Sequence, residues 1–167
     1  DIDVAYPAMA RDALAALQDF DADDPVVLVR LLTLQALAGN EESLARLKDL
    51  LADEAQMADA EVMILVNASL AMVADRSGDQ ATAADFYGRV RSVSPKHDRA
   101  LTFFENLFRG QKDAKRLYGI LTHRLSGGHG RDRAAVALEM ARLASGPMKS
   151  PARAIELYRS IEQSDPG

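Results

Sequence analysis

The sequence predicts an all-α fold: a right-handed α-solenoid of stacked antiparallel helix pairs, about four units preceded by a leading helix. Three observations predict it. A spaced quartet occurs twice, Ala83, Tyr87, Val90 and Pro95, then Ala154, Tyr158, Ile161 and Pro166, with every member displaced by 71 residues. That displacement is about twice a period in the mid-thirties, the length of a helix-pair repeat. Apolar residues recur at helical spacing between short Gly, Pro, Asp and Asn signals. Finally, 48% of the residues are hydrophobic but only 5% are aromatic, so good helix formers supply most of the core material. A chain of 167 residues is long enough to bury a substantial core, and the length prior gives one domain over 1–167.

The elements follow from their start and stop signals. Residues 5–17 carry apolar side chains at helical spacing, and the helix of 4–19 reads as the second half of a preceding pair. The acidic stretch Asp19 to Asp24 ends in Asp24-Pro25, an N-cap residue followed by proline at the first helical position, which opens a helix over 25–38. Gly39-Asn40 stops it, and Glu41 and Glu42 favour the next start beside the positive end of the helix dipole, giving 41–53. The same grammar yields 59–76, a Ser77-Gly78-Asp79 turn, and 80–93 closed by Pro95. Helices over 98–108 and 112–125 form the next pair. The glycine-rich Ser126 to Gly130 precedes 131–144, and a Ser145-Gly146-Pro147 turn leads to 151–163. The units are therefore approximately 25–54, 59–96, 98–128 and 131–166.

Charge and composition exclude several classes. A net charge of -5, with the 20 Lys and Arg spread along the chain, argues against a nucleic-acid binder, because phosphate attraction needs a basic surface. Without cysteine there is neither a disulfide framework nor a thiolate site. The longest apolar run, Val26 to Ala38, is interrupted by Arg30, Thr33 and Gln35 and falls short of a membrane span. The sequence begins at Asp1 and stops at Pro166-Gly167, where a repeat would end, which suggests a fragment and leaves the compartment open.

Chemistry-bearing motifs are sparse. His97, His123 and His129 share no helical spacing or zinc frame, and no Gly-x-Ser-x-Gly elbow occurs, so neither a metal site nor a hydrolytic triad is expected. Ser126-Gly127-Gly128-His129-Gly130-Arg131 could cradle a phosphate, yet it follows no strand and has no Gly-Lys-Ser/Thr ending; a loop between repeats is the better reading. The acidic stretch before Pro25 lacks the central glycine and closing glutamate of a calcium loop. No cofactor is expected, and an enzyme built on the glycine-rich loop is the least favoured of the functional readings.

On these residues the chain resembles the tetratricopeptide repeat family. Leu70-Ala71, Ala74, Gly78, Ala83, Tyr87, Val90 and Pro95 occupy the positions of that family's pattern in one unit, and Ala141, Ala144, Ala154, Tyr158, Ile161 and Pro166 do so in the last, with one extra turn residue. Phe104, Phe108, Leu117 and Leu121 keep the register between them, and the first unit keeps only Gly39 and its leucines. The small alanines would let the two helices of a pair approach closely, and the tyrosines would fill the gap between units.

The resemblance implies a concave groove lined by the first helix of each pair. Its groove positions carry over to Val26, Val29, Thr33 and Ala36, then Leu65, Ala68, Met72 and Asp75, then Arg99, Thr102, Asn106 and Arg109, and last Ala135, Leu138, Arg142 and Ser145. The partner-binding set taken from them is Val29, Thr33, Leu65, Ala68, Met72, Arg99, Thr102, Asn106, Arg109 and Arg142, apolar in the first half and basic in the second. The sequence departs from the lysine and asparagine set with which some members hold a peptide carboxylate: Ala68, Met72 and Thr102 stand at such places, and only Asn106 is reminiscent of it.

These expectations make the protein a non-catalytic protein–protein interaction scaffold whose groove takes a protein or peptide segment, apolar with an acidic end, with no nucleic acid or membrane partner. Exposed ion pairs contribute about 0–1 kcal/mol each, whereas micromolar binding needs about 8 kcal/mol, so apolar anchoring must supply most of the affinity. The alternative is a structural spacer of a longer solenoid that self-associates or stacks through its terminal helices, which present apolar side chains such as Ile155, Leu157, Tyr158 and Ile161.

Overall fold

The computed structural model describes residues 24–127 and 133–164. The expected leading helix of 4–19, the acidic stretch up to Asp23, most of the glycine-rich loop and Pro166 lie outside the described residues. Within them all regular structure is helical: α1 Pro25–Leu37, α2 Glu41–Ala52, α3 Glu54–Met57, α4 Ala60–Arg76, α5 Gln80–Val93, α6 Asp98–Gly110, α7 Ala114–Gly127, α8 Arg133–Ser145 and α9 Pro151–Ser164. The four-residue α3 is a turn of helix in the connection that the sequence left unassigned.

One turn is built three times, and it explains why the helices stop where they do. After α1, Gly39 takes φ +93° and the Asn40 N–H donates to the Gln35 carbonyl at 3.0 Å. After α4, Gly78 takes φ +82° and Asp79 N–H reaches Ala74 O at 2.9 Å. After α6, Lys112 takes φ +56° and Asp113 N–H reaches Phe108 O at 2.9 Å. Each left-handed residue thus lets the chain fold back and satisfy an orphan carbonyl of the helix it leaves. The next residue then caps the helix that follows: Asn40, Asp79 and Asp113 accept from the N–H groups of Ser43, Thr82 and Arg116 at 3.0, 3.1 and 3.0 Å. This places the start of α7 at Ala114 instead of Lys112, because Lys112 is in the turn and Asp113 is the cap. Connections of this length make each pair antiparallel.

The chain divides into two compact units, the first ending at Ser94 and the second beginning at Pro95. In the first, α4 packs on α1, α2 and α5. Val29, Leu32 and Ala36 of α1, Leu47 of α2, and Val62, Val66 and Leu70 of α4 make one buried cluster. In the second, α7 packs between α6 and α8, and α8 packs on α9; Leu117 and Leu121 meet Val136 and Met140 in the core, with Leu157 of α9 at its edge.

The repeated alanines behave alike: Ala83 and Ala154 are both buried. The repeated tyrosines do not, since Tyr87 is 4% exposed and Tyr158 41%. Among the described residues no helix is long and apolar enough to cross a membrane.

Candidate functional site

In the second unit, α6 sorts its side chains into two rows. Ala100, Leu101, Phe103 and Phe104 point into the core, where the Phe104 ring stacks on Phe108 with centroids 5.6 Å apart. Arg99, Thr102, Asn106 and Arg109 follow at spacings of three and four, which places them on one side of the helix. Arg99, Asn106 and Arg109 are exposed, and Thr102 is partly buried. The helix is opened by His97, whose Nδ1 accepts from the Ala100 N–H at 3.4 Å. Burial, assisted by the nearby Arg99 charge, pushes the His97 imidazole below its usual pKa, while Asp98 acts the other way. The neutral form has the free lone pair that the cap needs.

Beneath the row lies a buried ionic clasp. The Arg124 guanidinium, its side chain only 7% exposed, donates to the Glu105 carboxylate, which is 1% exposed, and also to the Asp98 carboxylate and the Thr102 hydroxyl. A further contact reaches the Asp98 carbonyl at 3.4 Å. Burial opposes the Arg124 charge, but the hydrogen bonds and charges of Glu105 and Asp98 outweigh it, so its pKa lies above the usual arginine value. One guanidinium fork on α7 therefore holds two turns of α6. The Thr102 hydroxyl also donates to the Asp98 carbonyl at 3.0 Å, which leaves it committed within the protein.

The row continues onto α8. Arg109 of α6 pairs with Glu139 of α8 at 2.8 Å, and Arg142 stands exposed three residues beyond Glu139. Pairing with Glu139 offsets the charge of Arg109. The face also carries the exposed Arg99 and Arg142 and the Asn106 amide, which can both donate and accept.

The first-unit members of the expected set sit deeper. Val29 and Ala68 are core residues. Thr33 is buried as well, its hydroxyl donating to Ser69 Oγ at 2.6 Å while Ser69 donates to the Leu65 carbonyl at 2.7 Å, a relay that joins α1 to α4. Leu65 and Met72 are partly buried and remain accessible. A shallow cleft of about 210 Å³ opens between α1 and α2, lined by Leu28, Leu32 and Leu50 together with Arg46, Asp49 and Asp53. Its lining holds no Ser, Thr, Cys, Lys or His, and its charged groups are Arg46, Asp49 and Asp53.

Ser69, Glu105, Arg124 and Glu139 were missed by sequence reasoning. A signal for two of them existed. Glu105 and Arg124 lie 34 residues after Ala71 and Val90, as Lys112 lies 34 after Gly78, so opposite charges replace a small and an apolar residue at two repeat positions at once. Among the described residues no group of three His, Asp or Glu could hold a metal ion. No protein-family model matches the chain, and no curated protein matches it significantly.

Proposed function

We propose that the chain is a helical-repeat scaffold of tetratricopeptide type, a right-handed α-solenoid in which the first helix of each pair contributes to a protein-binding surface. Recurrence of one turn, with its left-handed residue and its Asn or Asp cap, after α1, α4 and α6 supports the repeat reading. The surface with the best claim to recognition is the polar face of α6 and α8. The single observation that carries it is the exposed row Arg99, Asn106 and Arg109, with Arg109 paired to Glu139 of α8 three residues before the exposed Arg142, and the helix of the row held by the Arg124 clasp.

The partner this chemistry fits is a peptide segment with apolar anchors and an acidic end, the arginines setting its direction more than its affinity. A labelled leucine-rich peptide ending in glutamates, titrated by fluorescence anisotropy, tests it. Binding in the micromolar range is expected, weakened about tenfold or more by Arg99→Glu/Arg142→Glu, which corresponds to about 1.4 kcal/mol. Lys115→Glu, an exposed charge change on α7, should leave it unaltered. Equal affinity for all three proteins would remove the face from consideration. Arg109 is left in place in this test so that the Glu139 pair stays intact.

A further inference from the structure

The acidic residues of α6 and α8 are Asp98, Glu105 and Glu139, and arginines hold all of them, in two different ways. Asp98 and Glu105 are taken by Arg124, whose side chain is 7% exposed, and Glu105 is 1% exposed. That clasp is closed to water, and its charges cannot part without a large desolvation cost. Glu139 is held at the surface. Its Oε1 accepts from Arg109 Nη2 at 2.8 Å, with side chains 33% and 44% exposed. This is one bond, where a guanidinium can give a carboxylate two in parallel. Glu139 takes Arg109 across to α6 although Arg142 stands at i+3 on its own helix, with no ion pair among the described residues. An exposed pair of this kind has a small net stability and exchanges readily with other carboxylates.

We propose that Glu139 is a built-in competitor of the α6–α8 face: its carboxylate occupies Arg109 until the acidic end of a bound segment displaces it. The proposal rests on the reading of that face as a peptide-binding surface. The Arg109–Glu139 contact shows that a carboxylate fits against Arg109 at hydrogen-bond distance. An incoming glutamate therefore exchanges one carboxylate for another at Arg109 and gains only the difference between the two. Glu139 thus sets how strongly the face selects for acidic ends, without itself touching the apolar anchors of the ligand.

Glu139→Gln keeps the size of the side chain and removes its charge. The labelled leucine-rich peptide ending in glutamates, titrated into the full chain, should bind this variant about two- to fivefold more tightly than the parent, the range that an exposed ion pair allows. The same peptide ending in glutamines should bind both proteins equally. The gain should also shrink in the Arg109→Gln background, where Glu139 has no guanidinium of α6 to occupy. Far-ultraviolet circular dichroism and melting curves recorded on each variant separate a change in affinity from a change in folding. Unchanged or weaker binding of the glutamate-ended peptide by Glu139→Gln, or an equal gain with and without Arg109, would overturn the role of Glu139 and leave the face standing. Binding that ignores Arg99→Glu/Arg142→Glu would instead remove the face, and the competitor with it.

Discussion

The α4–α5 pair and the α6–α7 pair share one backbone device and lock it with opposite chemistry. Both turn through a left-handed residue into an aspartate cap, at Gly78-Asp79 and Lys112-Asp113. In the first pair the positions in register are Ala71 and Val90, both buried and apolar. In the second they are Glu105 and Arg124, buried and charged. The comparison teaches that the fold needs these positions filled and satisfied, not necessarily apolar. A buried ion pair rarely adds stability over apolar packing, because desolvation consumes most of the Coulomb attraction. What the charged version adds here is reach: Arg124 also holds Asp98 and Thr102, and so fixes the helix that carries Arg99 and Asn106.

The largest expected effect breaks that lock. Arg124→Met alone should destabilise by about 3–5 kcal/mol, because it removes the guanidinium that pairs with the buried Glu105 carboxylate. Arg124→Met with Glu105→Leu should restore stability to near that of the parent, having removed both charges at once. Urea denaturation of the two variants checks this pair, and equal losses in both would mean that packing volume, not charge, sets the stability of α6 against α7.

A second contrast concerns the turns. Adding a Cβ at Gly78 meets nothing within 4 Å, so Gly78→Ala isolates the cost of placing a side chain at φ +82°, about 1–2 kcal/mol. Lys112 already bears that strain at φ +56°. Lys112→Gly should therefore stabilise, by about 0.5 kcal/mol after the added chain entropy of glycine is counted. Thermal melts that moved in the same direction for both would show that the two turns are not equivalent.

The smallest effect is a pH dependence confined to the cap of α6. Folded His97 binds its proton less readily than the unfolded residue, so its contribution is present above the ordinary imidazole value of about 6.5 and is lost as pH falls through the lower folded value. His97→Asn keeps an acceptor at the cap and should flatten the stability–pH curve in that window. An unchanged curve would assign the slope to other groups.

Helix positions were legible in the sequence because turn chemistry is local. Asp24-Pro25, Gly39-Asn40 and Ser77-Gly78-Asp79 each place a boundary within a residue or two of its place in the structure. The turn at Lys112 escaped, since a lysine carries no mark of a left-handed conformation; only the 34-residue register with Gly78 points to it. The candidate site was legible in part. The groove register implied by the family resemblance put Arg99, Asn106 and Arg109 in one row, but it could not say that Thr33 turns inward to Ser69, or that Thr102 is committed to Arg124 and the Asp98 carbonyl. Those partners lie on other helices or on the backbone one turn away, and periodicity along one helix carries no information about them.

The proposal that α6 and α8 recognise a peptide is tested most directly by mapping contact residue by residue. Titrating the isotope-labelled chain with the leucine-rich, glutamate-ended peptide and following amide chemical shifts should give changes concentrated between Arg99 and Arg109 and between Leu138 and Arg142. Shifts confined to α9 or to the first unit, or none at all at millimolar peptide, would contradict it.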